Sequence, residues 1–472
     1  MGETSPPGGG APDATAPRTA PIALMKVLGP AHVWALGVGI VLVGEFMGWN
    51  FSVAKGGAYG SLIACWVIGL LYTCVAMIDS EVTSTVAAAG GQYTQAKHIV
   101  GPLMAFNVGL YLVMAYTMLE AGDALVVGDL LKAVAADVGH ADLDPRPYVV
   151  LTIAALAWLN YRGVLMTLTV NFVITAAACL ALVLLLLGVS PWDPGRVLLH
   201  GDLLTGLPYG WIGVIAALQF GMWFYLGIEG TCQAAEEVRS PGRSIPLGTM
   251  SGMVTLIIAA SITWYVAVGL MPWEYLGQAV TPMYDAARLT GNGTLQVILF
   301  VGTIFSAIAS ANGCINDASR AWFSMGRDRY LPNWFGAVHP RYRTPYRAIL
   351  FLVPIAVVFA FVAPLDQVIT FSILSGLLGY TFMAINVIKF RRQWPLGVIQ
   401  RGYVHPLHPL PALLLLALCI ATYFATFLGY GTTLLAVMAF YIGASIWFVV
   451  HRYRYVRRGD QFTMPWPRPR GY

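Results

Sequence analysis

Glu45 is a carboxylate in an otherwise apolar run from about residue 33 to 53, flanked by Gly44 and Gly48. A charged acid at the centre of a bilayer costs about 2.5–3.5 kcal/mol even on the lenient insertion scale, so it must face a cavity, a partner or a substrate. The two glycines weaken the helix at the same place. Glu229 repeats the arrangement between Gly227 and Gly230. A carboxylate attracts an ammonium and repels another carboxylate. At 4 Å and an effective dielectric of about 20, one opposite pair is worth about 4 kcal/mol before desolvation. Phe46, Phe224 and Tyr225 flank the two breaks and, with Trp49 as a further candidate, offer aromatic faces for cation–π contact. The chemistry is recognition of a small amine without a carboxylate. The competing reading is that either acid is protonated and hydrogen-bonded to a freed backbone carbonyl.

Further candidates lie on neighbouring apolar segments. Tyr116, Glu120 and Asp123 share one segment, and Ser306, Ser310 and Asn312 another, where helix–helix contact is the commoner use of such hydroxyls and amides. Glu236 and Glu237 stand close to Arg239 and Arg243, a cluster that suits either an inner gate or a solvated loop. Asp79 and Glu81 end a span where a solvated end or a gate is expected. Asp317 and Asp328 are candidate partners for the basic segment 320–345. The six cysteines lie in or beside apolar spans and form no CxxC pair, so neither a metal nor a disulfide framework is indicated. Buried small hydrophobes are the plainer reading. No nucleophile–base motif or phosphate-binding glycine loop points to an enzyme, and no cofactor or nucleic-acid partner is implied.

These residues need a membrane scaffold to position them. The chain is 58% hydrophobic and 10% charged, against about 25% charged in soluble proteins. Apolar segments at about 31–54, 57–79, 101–131, 147–163, 166–188, 210–236, 246–270, 293–325, 347–363, 366–388, 409–428 and 431–451 predict twelve spans. With the N-terminus in the cytoplasm, 22 of the 27 Lys and Arg fall inside and 5 outside, which predicts both termini inside. The broken spans are then the first and the sixth. They head two five-helix repeats of opposite orientation, at 29–190 and 208–390, followed by two further helices within 405–455. Residues 1–28 and 456–472 are expected to be cytoplasmic tails, the first disordered and without a signal-peptide core. Two glycine-interrupted spans at matching places are the best sequence pointer to a transporter's binding site.

In order along the chain come the first-span break, Ala89-Gly90-Gly91-Gln92-Tyr93, Gly227-Ile228-Glu229-Gly230, Ala235-Glu236-Glu237 leading to Ile245-Pro246, and Asn316-Asp317-Ala318-Ser319-Arg320 with Gly326-Arg327-Asp328 downstream. Together they resemble the amino acid–polyamine–organocation permease superfamily, over nearly all of the chain after about residue 30. The resemblance implies the leucine-transporter fold and alternating access. Amino acid permeases of that group usually carry a small-residue run in the first break, whose backbone amides hold the substrate carboxylate. Here Gly44-Glu45-Phe46-Met47-Gly48-Trp49 stands there instead, similar to bacterial ethanolamine permeases, as is Phe224-Tyr225-Leu226-Gly227-Ile228-Glu229-Gly230. Glu120 and Asp123 depart from those permeases.

The resemblance implies a secondary transporter in the cell membrane for a small organic amine, most closely ethanolamine. An amino acid, diamine or polyamine permease is the alternative within the class, with Glu120 and Asp123 serving a second ammonium. A transporter-like sensor or a channel is the alternative outside it. Some proton-coupled relatives carry a Lys in the fifth helix, and this chain has none. Coupling to a proton through Glu45 or Glu120, and uniport of a cation down the membrane potential, both remain open.

Overall fold

The computed structural model describes residues 26, 28–87, 90–140, 142–188 and 207–456. The expected tails fall almost wholly outside these residues, as do Ala88, Ala89 and the connection 189–206. Among the described residues the chain is helical, with two isolated bridges and no longer strand pairing.

The helices follow the apolar segments. Helix α1, Pro30–Met47, begins with proline in its first turn, where the missing N–H costs nothing. It is apolar all round and buried from Ala35 to its end, as expected of a helix at the centre of a bundle. After Gly48 the chain continues as α2, Trp49–Thr85. Helix α3, Gly91–Ile99, is short and leads through Gly101 into α4, Pro102–Asp137. Then come α5, Arg146–Arg162, α6, Val164–Gly188, and α7, Gly210–Gly221. Helix α8 is Pro241–Leu270, α9 Trp273–Leu276, α10 Pro282–Leu289 and α11 Gly293–Arg327. Helices α12, Tyr346–Val362, α13, Leu365–Gln393, and α14, Leu410–His451, complete the bundle.

Two of these helices each contain a turn-back. Gly57, at φ +68° and ψ −170°, breaks α2, so that 49–56 continues the first span and 58–85 forms the second. A side chain there would be strained, which explains the glycine. Tyr430, at φ −137° and ψ 41°, breaks α14 into the eleventh and twelfth spans. With both divisions the described helices make the twelve expected spans. The outer faces of α6 and α14 expose Leu180, Leu187, Ile420, Phe427, Leu435 and Ile442, an apolar surface suited to lipid. The arrangement is that of a polytopic, leucine-transporter-like membrane protein.

The two breaks differ in extent. In the first span the interruption is confined to Gly48, which keeps near-helical angles and still donates to the Gly44 carbonyl at 2.7 Å. The unwinding expected across residues 44–48 is therefore much shorter than the glycines suggested. The sixth span is open over a longer stretch. After α7 it passes through three short 3-10 turns, Met222–Phe224, Ile228–Cys232 and Ala235–Glu237, with Gly227 at φ +113°. Packing explains the contrast. Gly44 presses on the Trp223 carbonyl and Gly48 on the Phe224 ring, so their missing side chains let the sixth span approach rather than loosen the first.

Candidate functional site

Glu45 occupies the last turn of α1 and is fully buried, with no hydrogen-bond partner of good geometry for either oxygen among the described residues. The Thr263 hydroxyl of α8 lies beside it, also within 3.0 Å of the Ala259 and Ala260 carbonyls. That hydroxyl accepts from Trp49 Nε1 at 2.8 Å. Trp49 also stacks on Phe224, with centroids 4.2 Å apart, and so ties the start of α2 to the sixth span and to α8. Phe46 is buried against Gly302 of α11.

Glu229 is satisfied instead. Its Oε1 accepts from the Tyr380 hydroxyl of α13 at 2.7 Å, and its Oε2 accepts from the Gly227 N–H at 3.2 Å. The second bond closes the left-handed turn at Gly227. Tyrosines connect the two acids. Tyr225, within electrostatic reach of Glu45, pairs its hydroxyl with Cys65 Sγ at 3.2 Å. Its ring lies 5.8 Å from that of Tyr72, and Tyr72 meets Tyr380 edge to face at 5.2 Å. Tyr116 of α4 is buried, its hydroxyl without a hydrogen-bond partner, within electrostatic reach of Glu229 and Asp317.

Glu120 and Asp123 form a separate group one to two turns further along α4, with Ser310 and Cys314 of α11. Among the described residues both Asp123 oxygens and Glu120 Oε1 have no hydrogen-bond partner of good geometry. The nearby hydroxyl is engaged elsewhere: Ser310 donates to the Ile40 carbonyl of α1 at 2.5 Å. Asn171 and Thr175 of α6 reach the Ala35 carbonyl at 3.4 and 3.5 Å, so the fifth span meets the first through neutral groups.

The end of the bundle at which α1 begins is closed by charge. Glu237 meets Arg320 of α11, whose Nε donates to Oε1 at 2.7 Å, and both side chains are buried. Asn316 braces the same guanidinium through its backbone and side-chain oxygens. The expected partners Arg239 and Arg243 are exposed and take no part. The chain leaves the last 3-10 turn extended at Val238, with Glu237 and Val238 buried and Arg239 exposed. Arg239 contributes its backbone N–H instead, to the Leu28 carbonyl at 3.0 Å, while Leu28 N–H donates to the Glu237 carbonyl at 3.0 Å. Glu236 reaches Arg327 only at 4.0 Å.

Asp79 and Glu81 are buried rather than solvated. Asp79 accepts from Gln92 at 3.1 Å and Gln95 at 3.0 Å, which gives the Gly-Gly-Gln-Tyr segment its structural task. Tyr93 and Lys97 both donate to Asp328 Oδ2, at 2.9 and 2.8 Å. Glu81 accepts from Arg391, Arg401 and the backbone N–H of His405, joining the second span to the tenth and to the loop after it. In that loop, burial and the charge of Arg391 hold His408 below the ordinary imidazole range. Thr263, Tyr72 and Tyr380 carried no sequence signal. Each is an ordinary residue on an apolar helix until packing brings it to an acid.

A twelve-span helical bundle with an opened sixth span and unpaired acids at its centre defines a membrane transporter of the leucine-transporter type. The sequence model of the family described as amino acid permease matches residues 27–465. The chain belongs to the amino acid permease family, within the amino acid–polyamine–organocation superfamily. An uncharacterized transporter of Rhizobium meliloti (strain 1021) is 70% identical over 459 residues, covering 97% of this chain and 98% of its own. The methylthioribose transporter of Bacillus subtilis is 24% identical over 447 residues, 91% of this chain and 94% of its own. The branched-chain amino acid permease BcaP of the same bacterium is 23% identical over 454 residues, again 91% and 94%.

Proposed function

We infer that the substrate of this transporter is a small organic amine, with ethanolamine the first candidate, and that Glu45 receives its ammonium. The observation that carries this reading is the Glu45 carboxylate, fully buried with both oxygens unpaired at the point where the first and sixth spans meet. An isolated buried carboxylate is costly, and a primary ammonium brings three donors and the compensating charge. Phe46, Trp49, Phe224 and Tyr225 supply apolar and aromatic walls, and Glu229 with Tyr116 lies at the far end of the tyrosine line. A substrate carboxylate would be repelled, which argues against a simple zwitterionic amino acid.

The protein sits in the cytoplasmic membrane with both termini inside, on the strength of the 22-to-5 bias of basic residues. The Glu237–Arg320 pair then belongs to the inner gate. The two repeats, 29–190 and 208–390, rock about the site. A cationic substrate gains about 2.3 kcal/mol per charge for each 100 mV of potential, so uniport suffices for uptake. The unpaired Glu120 and Asp123 favour a second reading, a diamine permease in which that pair holds the second ammonium or a coupled proton.

The test is ethanolamine affinity in proteoliposomes for wild type and Glu45→Gln at matched expression. Loss of a charge-assisted contact costs about 1.5–3 kcal/mol, so affinity should fall about ten- to a hundredfold. Equal affinities would remove the basis of the amine reading. Competition by leucine but not by ethylamine would transfer the assignment to amino acids.

A further inference from the structure

The opposite end of the bundle holds an ammonium already, and it belongs to the protein. Lys55, in the last turn before the Gly57 break, is half-buried in a cage assembled from other helices. Its Nζ donates to Gln219 Oε1 at 2.9 Å. The Phe220 ring centroid lies 5.0 Å from Nζ and that of Tyr430 4.7 Å, and the two rings meet edge to face. Gly429 completes the wall. A Cβ there would stand 2.7 Å from Nζ, so the absent side chain makes room for the ammonium.

The cage is held by bonds that do not involve Lys55. Gln219 Nε2 donates to Thr370 Oγ1 at 2.8 Å, which turns its carbonyl oxygen toward the cage. The Tyr430 hydroxyl donates to Asp366 Oδ2 at 2.7 Å, so the nearby carboxylate is engaged, and among the described residues the ammonium makes no direct ion pair. Two π faces and one amide oxygen hold a cation by about 0.5–2 kcal/mol per ring, a grip that a competing cation can replace. The parts come from the first, sixth, tenth and eleventh spans, at the end opposite the Glu237–Arg320 pair.

We propose that this cage is an outer binding site for a primary ammonium, through which the amine substrate passes, and that Lys55 is the tethered occupant that fills it when the outer side is closed. The proposal rests on the amine reading for the substrate's identity, but not for the cage's ability to bind an ammonium. An incoming amine that takes the Gln219 oxygen and the two ring faces releases Lys55 and loosens the contact between the first span and the eleventh. Gly429 admits the ammonium where a larger residue would collide with it.

The test is equilibrium binding of labelled ethanolamine to the full-length protein in nanodiscs. Wild type should bind one equivalent. Lys55→Met, which empties the cage without adding bulk, should bind two, and adding Tyr430→Leu should weaken the second site roughly tenfold. Glu45→Gln in the Lys55→Met background should remove the central site and leave the outer one. If Lys55→Met shows only one site and Glu45→Gln abolishes it, the outer site is overturned and the central reading stands. If one site remains that is insensitive to Glu45→Gln but lost with Tyr430→Leu, the outer site stands and the central reading fails. Should Lys55→Met not assemble, Lys55→Gln removes the same charge and is read the same way.

Discussion

Glu45 and Glu229 share a sequence context and differ in what surrounds them. Glu45 has a hydroxyl beside it that also lies close to helix carbonyls, whereas Glu229 has two donors of its own. Neutralising Glu45 should therefore leave stability unchanged or raised, because it removes an unpaired buried charge. Removing a donor from Glu229 should do the opposite. Tyr380→Phe deletes one hydroxyl from a closed site and leaves Glu229 Oε1 without its partner, at a cost of about 1–3 kcal/mol. Thermal unfolding in detergent should show a lower melting temperature for Tyr380→Phe and none for Glu45→Gln. An unchanged melting temperature for Tyr380→Phe would mean that the hydroxyl is replaceable by water.

The sixth span is opened by its own residues and by what packs into it. Gly227 sits at φ +113°, a region that L side chains rarely adopt, and Ile40 of α1 fills the space where its Cβ would lie. Gly230 is pressed in the same way by Asp317 of α11. Gly227→Ala combines backbone strain of about 1–3 kcal/mol with displacement of Ile40. It should lower the melting temperature and abolish uptake. Gly443→Ala, at a helical position with nothing within 4 Å, should do neither. Retention of transport by Gly227→Ala would show that the left-handed turn is dispensable.

Across the whole molecule the two ends are closed by different chemistry. The end that carries Glu237, Arg320, Glu81, Arg391 and Arg401 is sealed by buried ion pairs, and the end that carries Lys55 by aromatic faces and an amide. Breaking a buried pair by removing one member costs about 3–5 kcal/mol, because the other charge is left alone, whereas replacing both by apolar groups is often neutral. Arg320→Ala should therefore destabilise strongly. The pair Arg320→Met with Glu237→Leu should recover most of the stability yet change the population open at that end, read as labelling of a cysteine introduced there. Equal stability of the single and double variants would show that the pair is not coupled.

The sequence alone determined the class of this protein. Twelve apolar segments, the bias of basic residues and two acids between glycines are local properties, and a bilayer reads them directly because it penalises charge and unpaired backbone wherever they occur. The motif order brought the family with it. Tertiary structure decided what each polar group touches. Arg239 and Arg243 stand nearest Glu237 in the chain, but both stay exposed, and Arg320, far along the sequence, takes the contact. Gly44 and Gly48 read as a place where a helix opens, yet they are surfaces onto which Trp223 and Phe224 pack, and the first span stays almost continuous. Thr263, Tyr72 and Tyr380 became visible only through packing. Helix type and membrane burial depend on neighbours within a turn or two, whereas the pairing of a buried charge depends on which helices meet, and that is fixed by the packing of the entire bundle.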